Sequence, residues 1–184
     1  MTRLRLNLSH TSFAGRGRSG AGAFTLVEIL IVVVILGILA TVVLPQFSNA
    51  SQTARENTLK DELRYLRTQV NVYAAQHRDV FPGYPGGDIT VTPTEAAFVS
   101  QLTAYTDISG NANDSRTDVY EFGRYLSKMP TNPINGLDTV LIIADGAAFP
   151  APDGTTGWIY QPQTGKIAAN LTGADSDGKS FTDY

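Results

Sequence analysis

The chain has 184 residues, 42% of them hydrophobic, and a formal net charge of −3, which is about one domain's worth of sequence with a single core. It contains no cysteine, which excludes disulfides, thiolate metal sites and cysteine nucleophiles. Charge is segregated: residues 1–23 hold Arg3, Arg5, Arg16 and Arg18 and no acid, so leaving them out takes the net charge from −3 to −7 for residues 24–184. That balance argues against a nucleic-acid partner.

From Phe24 to Leu44 the apolar run is broken only by Thr25, Glu28, Gly37 and Thr41. As a helix these 21 residues reach roughly 31 Å, close to the hydrocarbon thickness of a bilayer. Residues 29–36 are apolar on every face, unlike an amphipathic core helix. A cleaved secretory signal would have a shorter apolar core with small residues after it, whereas Gly20-Ala21-Gly22-Ala23 precede this one. The arginines ahead of the run place residues 1–23 in the cytoplasm and the remainder across the inner membrane. Glu28 stands about one turn into the run, where an unpaired carboxylate costs roughly 2.5–3.5 kcal/mol. The plain reading is a side chain that snorkels to the headgroups; the functional one is a carboxylate met by a cation inside an assembly.

The run Gly22-Ala23-Phe24-Thr25-Leu26-Val27-Glu28-Ile29-Leu30 behind a basic leader resembles the processing signature of type IV pilins and type II secretion pseudopilins. The resemblance implies that prepilin peptidase cuts between Ala23 and Phe24 and that the new Phe24 amine is methylated. Relatives usually carry glycine before the cut, so the Gly22–Ala23 bond is the alternative. It further implies assembly roles for Phe24, Glu28 and Pro45, the last standing where relatives tend to carry proline. The implied partners are prepilin peptidase, other pilin or pseudopilin subunits, an inner-membrane assembly platform with its ATPase, and the membrane itself.

Beyond Pro45, residues Leu59, Leu63, Leu66, Val70 and Tyr73 recur at intervals of four and three, predicting an amphipathic helix to about His77. Phe81-Pro82-Gly83 and Pro85-Gly86-Gly87 are expected to stop it. The pairs Glu56 with Lys60 and Asp61 with Arg64 read as a solvated face. A second helix is signalled by Thr92-Pro93-Thr94-Glu95, with Thr92 as N-cap, Pro93 in the first helical position and Glu95 closing a capping box; Phe98, Leu102 and Tyr105 then share a face. Residues 106–118 read as loop, 125–130 as a short turn of helix and 132–136 as a turn. Strands are expected at 139–144, 158–161 and 166–171, the last two joined as a hairpin through Pro162-Gln163-Thr164-Gly165. The expected class is α+β: a long N-terminal helix whose first half, 24–45, crosses the membrane and whose second half packs on a small antiparallel sheet in a periplasmic domain, 46–184. This order of elements again resembles the pilin fold.

Catalytic signals are absent: only His10 and His77 exist, and no glycine-rich phosphate loop is present. No enzymatic activity is expected. Near the end of the sequence, Asp175, Asp177 and Asp183 with Ser176 and Ser180 form an oxygen-rich cluster of the type calcium prefers. Lys179 opposes it, and the glycine position departs from the EF-hand loop. Major pseudopilins resemble this in using a calcium loop near the C-terminus, so calcium is expected to order residues 173–184. The function expected is that of a structural subunit of a pseudopilus-type filament in a type II secretion-like system. A type IV pilin of a surface pilus and a membrane-anchored periplasmic binding module that never polymerises are the alternatives.

Overall fold

The computed structural model describes residues 24–184, so the expectations for the leader 1–23, Ala23 included, lie outside the described residues. The chain divides into two units, Met1–Val43 and Leu44–Tyr184. Helix α1 (Leu26–Gln76) contributes to both. Within the first unit the described apolar side chains are exposed: Leu26 is 82% exposed, and every side chain from Ile29 to Leu36 is more than half exposed. The side chains of Val42 and residues 44–48, Pro45 among them, lie outside the described set. Among the described residues no helix is long and apolar enough to cross a membrane. The membrane reading therefore rests on the sequence run Phe24–Leu44.

In the second unit the predicted stripe is the core of the domain. Leu59, Leu63, Leu66, Val70 and Tyr73 are each at most 1% exposed and pack in one cluster with Phe98, Leu102, Trp158, Tyr160 and Ile167. Helix α1 stops at Gln76 ahead of the expected proline–glycine breakers. Arg78 and Asp79 turn left-handed (φ 57° and 62°), and the Asp79 amide donates back to the Ala74 carbonyl (2.9 Å), satisfying a terminal carbonyl in the Schellman manner without glycine.

Helix α2 spans Glu95–Thr103 and starts later than the sequence pattern indicates. The Thr94 amide bonds the Gly83 carbonyl (2.9 Å), which keeps the chain extended through Thr94, and the Thr94 hydroxyl accepts from the Ala97 amide (3.1 Å) as N-cap. Thr92 is thus not the cap, Pro93 is not in the helix, and Glu95 accepts from the Val140 amide (2.7 Å), tying α2 to a strand instead of closing a capping box. Tyr105 leaves the helix for β1 (Tyr105–Thr106), which pairs antiparallel with β2 (Ala112–Asn113) inside the segment read as loop. Residues 125–130 form bends in place of a helical turn, while still placing Tyr125, Leu126 and Met129 in the core.

The main sheet has order β3–β4–β5, with β3 at Val140–Ile142, β4 at Trp158–Gln161 and β5 at Lys166–Ala169. Strands β4 and β5 form the expected antiparallel hairpin, and β3 joins β4 in parallel. The parallel join is allowed because residues 143–157 are long enough for a crossover. Central strand β4 is buried along its whole length.

With no disulfide available, buried amides hold the loops. Gln101 accepts from the Gly83 amide (2.7 Å) and donates to the carbonyls of Tyr84 (2.7 Å) and Gly110 (2.9 Å). Asn132 donates to the Gly157 carbonyl (2.9 Å) and accepts from the Ile134 amide (3.0 Å). Asn170 accepts from the amides of Asp153 and Gly154 and donates to the Asp153 carboxylate and the Thr156 hydroxyl. Each is at most 2% exposed and uses both ends of its amide, so burial carries no unpaired polar group.

Tyr160 is the contrast: its side chain is fully buried against Phe98, and among the described residues its hydroxyl has no hydrogen-bond partner. An unsatisfied buried hydroxyl costs about 1–3 kcal/mol. Tyr160→Phe is therefore expected to stabilise the domain by about 1 kcal/mol, read as a rise in the urea midpoint at unchanged slope.

His77, 2% exposed, stacks on Tyr73 with ring centroids 3.8 Å apart. Its Nδ1 faces the Tyr73 carbonyl oxygen (2.8 Å) and so carries the proton, leaving Nε2 to accept from the Thr106 hydroxyl (2.9 Å). Burial lowers its pKa from the ordinary 6.5. Below that pH the unfolded chain takes up the proton before the folded one does, so stability is flat above pH 6.5 and falls as pH drops beneath it. Urea midpoints measured from pH 7.5 downward (about one unit either side of 6.5) are expected to show this slope, and His77→Gln, although less stable at neutral pH, is expected to lose it.

Candidate assembly site

The first turn of α1 is closed by a reciprocal pair of hydrogen bonds that the sequence reading overlooked. Thr25 accepts from the Glu28 amide through its hydroxyl (3.2 Å), while the Glu28 carboxylate oxygen Oε2 accepts from the Thr25 amide (2.8 Å) and the Thr25 hydroxyl (3.0 Å). This is a capping box, and its Thr-x-x-Glu signature was visible at residues 25–28. Its consequence is positional: the carboxylate is drawn back over the helix start, beside Phe24, where a positively charged group would also profit from it. Phe24 itself is 81% exposed. Of the expected assembly residues, the structure brings Phe24 and Glu28 to the same helix end. Pro45 falls within α1, one unit further along the chain.

The arrangement thus consists of an exposed carboxylate at the start of a helix whose first turns, through Leu36, carry exposed apolar side chains on every face. The profile of the prokaryotic N-terminal methylation motif matches residues 18–44. The type IV major fimbrial protein FimA of Dichelobacter nodosus is 31% identical over 110 residues, covering 55% of this chain and 70% of that protein. The chain belongs to the type IV pilin and pseudopilin family. The type II secretion system core protein G of Pseudomonas aeruginosa is a second relative of this pilin-like chain, 38% identical over 56 residues, or 30% of this chain and 39% of that protein. No solved structure matches.

In this pilin-like protein the three acids of the calcium expectation differ in exposure. Asp175 is 7% exposed, whereas Asp177 and Asp183 are exposed. Among the described residues no group of three or more histidine, cysteine, aspartate or glutamate side chains is arranged to hold a metal ion. Instead Asp175 accepts from the amides of Asp177 (3.0 Å) and Lys179 (2.8 Å), the Lys60 ammonium (3.3 Å) and the Tyr184 hydroxyl. The Tyr184 hydroxyl foremost, with these other donors, holds its carboxyl down at about 2.

Two of the four charges read as a solvated face belong to this cluster as well. Glu56, 2% exposed, accepts from the Ser176 amide (3.0 Å) and hydroxyl (2.6 Å), and Lys60 bridges to Asp175. Both point at the C-terminal segment because they sit one turn apart on α1 beside the Leu59–Leu63 stripe. Asp61 and Arg64 do pair in solvent, at 3.3 Å with side chains about three-quarters exposed.

Proposed function

We propose that this chain is a non-enzymatic structural subunit, inserted as a single-pass protein in the bacterial inner membrane with residues 46–184 in the periplasm, then polymerised through its N-terminal helix. Residues 1–23 are the cytoplasmic leader that prepilin peptidase removes at the Ala23–Phe24 bond, and methylation follows at the Phe24 amine. Residues 24–45 are the membrane and assembly segment, and an inner-membrane platform and its ATPase supply the energy.

The observation that carries this reading is the uncovered α1 start: apolar side chains on every face with a single carboxylate held at the tip. Apolar surface of that extent needs lipid in the resting subunit and neighbouring helices in a filament. A monomeric binding module would need the lipid alone and would leave the carboxylate without a task.

Within the family the reading we favour is a pseudopilus-type filament of a type II secretion-like system, supported by the absence of cysteine for a C-terminal disulfide. The longer alignment with a fimbrial protein favours the second reading, a type IV pilus at the cell surface. Immunogold labelling of intact and of osmotically shocked cells separates them. Labelled fibres outside intact cells point to the pilus, and label reached only after shock points to the pseudopilus. Protein that stays monomeric in the membrane under every growth condition would overturn both.

A further inference from the structure

Residues 174–184 lie against α1 through three polar ties spaced along that helix. Glu56 accepts both hydrogens of Ser176, Lys60 meets Asp175 at 3.3 Å, and Arg67 donates to the Tyr184 carbonyl oxygen at 2.6 Å. Phe181 packs into the core between them, and Ala174 bridges Ser180 to close the segment on itself.

We propose that the Lys60 ammonium fastens this segment to α1 in the place that a divalent cation would otherwise take, so that the folded domain needs no calcium. The argument is one of donor count. Calcium takes about 6–8 oxygen ligands that face it with lone pairs. Asp175 has four lone-pair directions and receives four hydrogens: two backbone amides at Oδ1, the Lys60 ammonium and the Tyr184 hydroxyl at Oδ2. Glu56 is likewise engaged, its Oε1 by the Ser176 amide and the Gln52 side chain and its Oε2 by the Ser176 hydroxyl. A cation approaching either carboxylate meets hydrogens, and the amides of Ser176, Asp177 and Lys179 cannot turn away without unwinding the loop. The residues present therefore do not fit calcium.

Lys60 suits the alternative. Its stem rises from α1 one turn beyond Glu56, its ammonium lies 4.6 Å over the Tyr184 ring as well as against Asp175, and its side chain is 31% exposed while that of Asp175 is 1% exposed. The charge is thus covered on its carboxylate side and hydrated on the other, which avoids most of the cost of burying an ion pair. Around it stand the acids Asp175, Glu56 and Asp183 and the cations Arg64, Arg67 and Lys179, the last with its ammonium 5.4 Å from the same ring.

The test is amide hydrogen exchange on the full chain in detergent, with calcium chloride or with a calcium chelator, for wild type, Lys60→Met and Lys60→Arg. The wild type is expected to exchange identically in both buffers. Lys60→Met is expected to speed exchange at Ser176, Asp177 and Lys179 by about tenfold, with the β4 amides unchanged, and Lys60→Arg to recover part of the protection. Three results would overturn the proposal: calcium slowing exchange of these amides in the wild type, Lys60→Met leaving them as in the wild type, or Lys60→Met releasing β4 equally. The wild-type comparison stands even where a variant fails to fold.

Discussion

Glu28→Ala is expected to leave the protein in the membrane and trimmed, yet to cut filament assembly by about a hundredfold. Apolar helices packed side by side are held by non-directional contacts, which do not fix how far one slides along the next. In the proposed filament a carboxylate at the helix tip would fix it, because only one stagger would present the Phe24 amine of a neighbouring subunit to Glu28. In any other register the carboxylate stays unpaired in hydrocarbon, at roughly 2.5–3.5 kcal/mol, which is about a hundredfold in preference at ~1.4 kcal/mol per factor of ten. Such a pair would penalise misalignment more than it would add stability.

The capping box supplies the control. Glu28→Ala removes both the charge and the acceptor for the Thr25 amide, whereas Glu28→Gln keeps an acceptor at the same place and can still close the box. Glutamine is therefore expected to preserve the helix start and still assemble poorly. Filaments of normal abundance from purified Glu28→Ala subunits would leave Glu28 as a headgroup-seeking side chain.

The second large effect is expected inside the domain. Leu66 is fully buried at the middle of the stripe that α1 lays on the sheet. Leu66→Ala is expected to cost about 2–5 kcal/mol through lost burial and a residual cavity, against a total stability of about 5–15 kcal/mol for a domain of this kind. The midpoint temperature is expected to fall by about 5–15 °C, followed through Trp158, the single tryptophan. Thr68→Ala, two residues along on the exposed side, is expected to change stability by no more than about 0.5 kcal/mol. Equal losses from the two would mean that α1 does not cover the sheet through this face.

What was legible in the sequence follows period and chemistry. The five residues of the α1 stripe and the hairpin β4–β5 were readable because a helical or alternating pattern is set by burial on one side, and that pattern survives into the structure. The α2 boundary was misplaced by two residues because a backbone bond from Thr94 to Gly83, eleven residues upstream, keeps Thr94 extended, and no local pattern encodes that contact. The sense of β3 was hidden for the same reason, since pairing direction depends on the path of residues 143–157 and not on the strand's own residues.

The candidate site divides similarly. Glu28 stood out as a carboxylate inside an apolar run and Phe24 through the family resemblance, while the Thr25 cap was overlooked although Thr-x-x-Glu is a local signature. Glu56, Lys60 and Asp175 were not, because their charges suit a solvated helix face and a polar tail equally well. Only the fold places the tail over the helix and converts surface charges into a fastening. Our proposal that Lys60 stands in for a cation at the acid cluster rests on a count of hydrogens at Asp175 and Glu56, which no sequence pattern carries.

The central claim is that the chain is a processed filament subunit, and the intact mass of protein extracted from membranes and from sheared or purified filaments tests it most directly. The account predicts a chain that has lost residues 1–23 and begins at Phe24 carrying one added methyl group. Assembled material that retains residues 1–23 would contradict it.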